Sequence, residues 1–371
     1  MSNSPVVEVE GKHLKLSNLD KVLYPAAGFT KGQVIDYYAR VAPVLLPHLK
    51  DKPLTMKRYP VGVDQEFFFE KNAPKHRPDW VKTAPIWSYG NKRDVNYILA
   101  NDLATLIWVA NLASLELHPS LSLAKDISFP TMIVFDLDPG PPADMVECAQ
   151  VGMWLREIFE HFGLKSFPKT SGSKGLQIYV PLHTPTSYEK TKPFAHALAR
   201  LLEEEHPDLV VSDMKKAIRT GKVLVDWSQN DEHKTTISVY SLRARERPTV
   251  STPLKWEEVE RVLAKKDPKL VVFEAPQVLE RVQKMGDLFE PVLKLKQKLP
   301  EVGEMMAARD VSEEDKMAIV AQEEARATQM SRKAEGRGPP PIVPEKAAKS
   351  RKRAPKSATP PRQTAKKKRN L

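Results

Sequence analysis

The last 41 residues of this 371-residue chain cannot join a hydrophobic core, and that limits the length left to fold. Ser331–Leu371 carries 14 Lys+Arg against 2 Asp+Glu, with seven prolines and almost no large apolar side chain. Too little surface can be buried there to offset the entropy of ordering, so the segment is expected to be disordered. The formal net charge of +11 divides into +12 on this tail and −1 on the preceding 330 residues, which hold 44 Lys+Arg and 45 Asp+Glu. The basic clusters RKRAPK and AKKKRN suit a polyphosphate partner through salt-sensitive attraction. A solvated tail that aids solubility is the competing reading. The near-neutral body can engage nucleic acid only through a local patch.

That body is long enough for one large domain or two medium ones. No run of about 18 apolar residues suggests a transmembrane helix. The start, MSNSPVVEVEGKH, lacks the basic-then-apolar pattern of a signal segment. One cysteine, Cys148, rules out an intramolecular disulfide and argues against a cysteine-based zinc site. The expectation is a reduced, intracellular, water-soluble protein.

Helical spacing of Val34, Tyr37, Tyr38, Val41, Leu45 and Leu46 predicts a helix over Lys31–Leu49, with Thr30 as its N-cap. Further helices are expected at Ala100–Leu117, Ala143–Phe162, Lys192–Glu205, Trp256–Ala264 and Pro276–Lys284. Strands are expected at Leu54–Tyr59, Glu66–Glu70, Thr131–Phe135, Lys174–Leu182, Val223–Trp227 and Thr235–Tyr240. Residues 301–330 read as a charged helical extension. Strands and helices mix without steady βαβ alternation, which favours α+β with mixed or antiparallel sheets over a doubly wound parallel fold.

The most informative stretch is Ile133-Val134-Phe135-Asp136-Leu137-Asp138-Pro139-Gly140. In a strand, positions i and i+2 share a face, so Asp136 and Asp138 stand side by side while Leu137 turns into the core. Carboxylates at that spacing repel unless a cation lies between them, and hard oxygen ligands suit Mg²⁺ or Mn²⁺. Two solvated acids at a Pro-Gly turn are the plainer alternative. Thr170-Ser171-Gly172-Ser173-Lys174-Gly175 is a small-residue loop whose N–H groups and single lysine could face phosphate oxygens, although it is not a Walker loop. Lys222-Val223-Leu224-Val225-Asp226 ends another apolar strand in a third aspartate, just after Arg219. Several carboxylates holding paired metals are the usual solution to in-line phosphoryl chemistry, so the combination points to nucleotidyl transfer.

These segments, with SNLDKVLYPAAGFTKGQVIDYY, KRYPVGVDQEFFFEKN, VFDLDPG, FPKTSGSKGLQIYVPL, IRTGKVLVDWSQN and KTTISVYSLRARERPTVSTP, resemble the polymerase domain of bacterial DNA ligase D. That domain belongs to the archaeo-eukaryotic primase superfamily. The resemblance covers about residues 8–295 and implies a primase-polymerase-type catalytic domain over residues 1–300, in stand-alone form. By motif match, Asp136, Asp138 and Asp226 would hold two divalent ions, Mn²⁺ or Mg²⁺. Ser171, Ser173 and Lys174 would line the triphosphate of a nucleoside triphosphate substrate, with Arg219 and Arg243. Lys57, His118 and Gln229 match positions near the incoming nucleotide. Asn18, Lys21 and Lys31 match residues that hold a 5′-phosphate at a DNA gap or break. Phe68 and Phe69 match aromatics that stack on template bases; strand alternation would bury either Phe68 or the Phe67/Phe69 pair. Gln177 stands where the family usually has histidine near the nucleotide, and it cannot become cationic.

The resemblance thus implies a DNA-end-directed nucleotidyltransferase that prefers ribonucleotides and acts in non-homologous end joining with Ku and a ligase. A bacterial, cytoplasmic, nucleoid-associated location follows from the same likeness. A primase-like role in replication or damage tolerance is the alternative enzyme reading. A non-catalytic DNA-end-binding module is the alternative outside enzymology.

Overall fold

The computed structural model describes residues 5–301 and 303, apart from 89 and 91. Beyond residues 301 and 303, the extension expected at 301–330 lies outside the described residues, as does the whole tail at 331–371.

Helix Lys31–Leu49 forms where the apolar spacing places it. Thr30 accepts from the Gln33 N–H while the Gln33 side chain accepts from the Thr30 N–H, a reciprocal cap that satisfies two otherwise orphaned donors. Val34, Tyr37, Tyr38, Val41 and Leu45 are buried on one face. The two tyrosine hydroxyls donate to the Tyr240 and Leu115 carbonyls at 2.8 and 2.7 Å, so burying them leaves no unpaired group.

The helix expected over Ala100–Leu117 is shorter. It runs Leu103–Asn111, capped by Asp102, and strand Ser114–Pro119 follows. Ala113 takes a left-handed φ of 58°, which ends the helix and reverses the chain. Ser-Leu-Glu-Leu-His then pairs antiparallel with strand Leu54–Arg58, setting Lys57 opposite Glu116 and Thr55 opposite His118. The edge of this sheet is strand Phe68–Glu70. Its far side is a hairpin, Thr83–Ser88 with Arg93–Ile98, that periodicity did not indicate.

A second five-stranded sheet among the described residues has the spatial order Phe167–Thr170, Leu176–Pro181, Met132–Pro139, Val223–Asp226, Val210–Val211. All neighbours are antiparallel except the last pair. Phe135, Leu137, Leu176 and Ile178 share one face, and helix Met145–His161 covers it through Gly152 and Phe159. The opposite face carries Asp136, Gln177 and Asp226. The expected strand Thr235–Tyr240 is absent: its Thr236 and Ser238 N–H groups bond to Pro119 and Leu117, but no ladder continues. The architecture is α+β with mixed sheets. No described helix is long and apolar enough to cross a membrane.

Candidate active site

Strand Met132–Pro139 is central in its sheet, so it presents Asp136 between two partners. Asp136 lies opposite Gln177 on one side and opposite Asp226 on the other, and Asp138 follows two residues on. The three carboxylates therefore share one face at one end of the sheet. Burial pushes the Asp136 carboxyl up to about 6; the Asp226 and Asp138 charges add to this, and a hydrogen bond from Gln177 and the Lys169 charge oppose it.

Asp226 accepts from the Ser228 N–H and hydroxyl at 2.9 and 2.6 Å and from Gln229 Nε2 at 3.0 Å. Gln229 thus holds a carboxylate here. Arg219 Nη1 lies 3.9 Å from the exposed Asp138 carboxylate. Among the described residues, no three acidic, histidine or cysteine side chains already converge closely enough to hold an ion. The donor set still fits one: the acids are hard oxygen ligands on one face, and Asp136 is raised by burial and then by repulsion from Asp226, both of which a divalent cation would offset.

The Ser171–Gly175 loop sits at the end of the same sheet. Ser171 Oγ accepts from the Ser173 and Gly175 N–H groups at 3.2 and 3.1 Å. Gly172 has φ of 68°, and a Cβ there would lie 2.6 Å from the Ser251 nitrogen. Glycine is required both for the turn and for the close approach of the two chains. Arg243 Nη1 donates to the Ser171 carbonyl at 3.1 Å, and Arg245 donates to the Ser173 hydroxyl. Lys174 is exposed, with no ion-pair partner among the described residues.

Lys169 was not picked out by the sequence, although it stands two residues before the loop. It is fully buried and donates to Gln177 Oε1 at 2.5 Å and Ser251 Oγ at 2.6 Å. Burial holds its ammonium well below the usual lysine range; the Arg243 charge adds to this and the Asp136 charge opposes it. Lys169, Gln177, Asp136 and Asp226 form one cross-strand row.

Lys57, His118 and Arg243 meet at Glu116, which is 2% exposed. The helix expected over Ala100–Leu117 would place Glu116 at its end; in the structure it lies in strand Ser114–Pro119.

The residues matched to a 5′-phosphate lie at the start of helix Lys31–Leu49. Asn18 is exposed with φ of 52°, and the Lys31 N–H bonds to the Lys21 carbonyl at 2.8 Å. Lys31 is buried and donates to the Ser17 carbonyl and hydroxyl at 2.7 and 3.1 Å. Its ammonium is lowered to about 8 by burial, then by the Lys21 and Arg58 charges. Lys21 and Lys31 beside a helix N-terminus favour an anion, whereas the nearby Arg58 is already paired with Glu70 at 2.7 Å.

Phe67, Phe68 and Phe69 are all exposed, at 49%, 44% and 57%. Strand alternation would bury Phe68 or the Phe67/Phe69 pair, but Phe67 precedes a three-residue edge strand and all three rings stay exposed, which suits stacking. Lys57 Nζ lies 4.1 Å from the Phe67 ring centre, and the Arg58 guanidinium 5.1 Å from that of Phe68.

The model of the LigD primase-polymerase domain matches residues 30–289 of this chain. The chain belongs to the LigD primase-polymerase family. It is therefore an enzyme of the nucleotidyltransferase class. It is 41% identical over 283 residues to the multifunctional non-homologous end joining protein LigD of Mycolicibacterium smegmatis, across 76% of this chain and 36% of that protein. It is 34% identical over 274 residues to the bifunctional LigD of Bacillus subtilis, across 74% of this chain and 43% of that protein. The chain thus spans less than half the length of these relatives. Among solved structures, the polymerase domain from Mycobacterium tuberculosis ligase D in complex with DNA matches with a TM-score of 0.70 and 40% identity, over 76% of this chain and 99% of that one.

Proposed function

We propose that this LigD-family protein adds nucleotides to 3′ ends at DNA gaps and breaks during non-homologous end joining. One observation carries the reading: the cross-strand alignment of Asp136 with Asp226, with Asp138 two residues on and the Ser171–Gly175 loop at the same sheet end.

Divalent cations held by Asp136, Asp138 and Asp226 would activate a primer 3′-hydroxyl and neutralise charge on the triphosphate and the departing pyrophosphate. Lys174, Arg219 and Arg243 orient that triphosphate by charge-assisted hydrogen bonds, beside a loop whose Ser173 and Gly175 N–H groups are taken up by Ser171 Oγ. Gln177, directly opposite Asp136 across the strand pair, favours its ionised form. At the DNA end, Asn18, Lys21 and Lys31 hold a 5′-phosphate, while Phe68 and Phe69 stack on template bases. Ribonucleotides are the preferred substrates, Mn²⁺ or Mg²⁺ the cofactors, and Ku and a ligase the partners in the cell.

The test is incorporation on a 5′-phosphorylated gapped duplex, comparing ribo- with deoxyribonucleotides under Mn²⁺ and Mg²⁺. Extension with the wild-type protein, lost in the D136A/D138A double variant while end binding persists, supports the reading. Extension that survives the double change removes the metal site.

A further inference from the structure

We propose that Glu116 is a positioning residue that assembles the cationic wall of the nucleotide pocket, a role that rests on the nucleotidyl-transfer reading above. Three side chains from distant parts of the chain converge on this one carboxylate. His118 Nε2 lies 2.9 Å from Oε2, Lys57 Nζ 3.9 Å from Oε2, and Arg243 Nε 3.4 Å from Oε1. The Ala244 N–H donates to Oε1 at 3.0 Å, which ties the Arg243 segment to the same group.

The order of burial matters. The Glu116 side chain is 3% exposed, against 16% for Lys57, 14% for His118 and 17% for Arg243. The carboxylate is the most buried of the four groups, and Arg243 Nε beside it is buried too. Burial raises Glu116, but the His118 hydrogen bond and the charges of Arg243, His118 and Lys57 outweigh it and pull the carboxyl down to about 2. The group is ionised at any working pH.

Two consequences follow for the cations. Lys57 and Arg243 would repel each other across a partly buried site; an anion between them holds both in place. A hydrogen bond from Nε2 to the carboxylate puts the His118 proton on that nitrogen and leaves Nδ1 for a ligand. Arg243 Nε has no hydrogen-bond partner, since its approach to Glu116 is ionic without hydrogen-bond alignment. Its Nη1 reaches the Ser171 carbonyl, so the same guanidinium links this cluster to the phosphate-facing loop. The strand register fixes the arrangement: Lys57 and Glu116 are directly paired, and His118 lies two residues on along the same face.

The experiment measures nucleotide affinity directly, using the full chain, Mn²⁺ and UTP on a 5′-phosphorylated gapped duplex whose primer lacks the 3′-hydroxyl. For E116Q the expected result is at least fivefold weaker UTP binding with gapped-DNA affinity unchanged. The His118 ring, followed by NMR, should titrate at lower pH because its anionic partner is gone while Lys57 and Arg243 remain. Equal UTP affinity overturns the proposal. So does tighter binding, which would mean that the lost negative charge outweighs the lost alignment. Should E116Q fail to bind DNA, E116D keeps the charge one methylene shorter, and its UTP affinity decides on the same terms. Extension of an ordinary primer is measured alongside. Wild-type protein that binds UTP without extending sinks the transfer reading and leaves the affinity comparison to judge Glu116; wild-type protein that does not bind UTP overturns both.

Discussion

Asp136 and Asp226 stand directly opposite each other on adjacent antiparallel strands, although 90 residues separate them in the chain. Burial of Asp136, and then the charge of Asp226 beside it, raise its carboxyl from the ordinary 3.8 to about 6. The native state therefore binds that proton more tightly than the unfolded chain does. The resulting penalty is absent below about pH 4, grows between about 4 and 6, and is complete above 6.

Asp136→Asn removes this penalty. In chelator at pH 7.5 the variant should be more stable than wild type by up to about 3 kcal/mol, from a shift of about two pH units. The advantage should vanish near pH 4. Adding Mn²⁺ should stabilise wild type and not the variant. Thermal unfolding across pH, with and without Mn²⁺, checks this; a variant less stable at pH 7.5 in chelator contradicts it.

Gly175→Ala tests how closely the loop is pressed onto the acid-bearing strand. A Cβ at Gly175 would lie 2.1 Å from the Leu137 carbonyl, between the two aspartates. Backbone on both sides must shift, at a cost of roughly 1–3 kcal/mol or more. Extension should fall further than stability does, because Asp136 and Asp138 move with Leu137. Denaturant midpoints and extension rates at a temperature where the variant is folded separate the two effects. Unchanged extension in a folded variant would show that the loop does not position the acids.

Much of this arrangement was legible in the sequence. Apolar runs ending in Asp136, Asp138 and Asp226 announced strands that deliver acids, and period two put Asp136 and Asp138 on one face. The Lys31–Leu49 helix and its Thr30 cap followed from spacing alone. Glu116 was not legible, because an Ala- and Leu-rich run reads as helix until the left-handed Ala113 breaks it, and short buried segments have no decisive period. Lys169 was hidden for another reason. A lysine is ordinarily exposed, and only the pairing of Phe167–Thr170 with Leu176–Pro181 shows that this one is buried against Gln177. Alternation alone would bury Phe68 or the Phe67/Phe69 pair, but it does so only where something covers the strand; on this three-residue edge strand all three rings stay exposed, as template stacking requires.

Phe68→Ala and Phe69→Ala should each weaken binding to a gapped duplex with single-stranded template by roughly 1–3 kcal/mol, the typical worth of one stacked base. Both rings are exposed, so melting temperature should hardly change. A loss independent of template sequence is expected, since every base offers a stacking face. Binding of a blunt duplex, which has no unpaired template base, serves as the control. Equal losses on blunt and gapped DNA would rule out template stacking.

Gln177→His asks whether the histidine that the family resemblance leads one to expect at this position would add a cation. The Gln177 side chain is 2% exposed, with its carbonyl on the Lys169 ammonium and its amide toward Asp136 and Thr236. An imidazole there must offer a lone pair to Lys169, and a second proton would set two positive charges side by side in a buried site. The nearby Asp136 favours protonation but is itself pushed toward its neutral form. The new histidine should therefore stay neutral at pH 7, and nucleotide affinity and extension rate should change by less than about threefold, under 1 kcal/mol. Extension rates of wild type and variant from pH 5.5 to 8.5 test this. A new titration near pH 6.5 with tighter nucleotide binding would show that Lys169 yields to the imidazolium, and that the glutamine does lower triphosphate affinity in this chain.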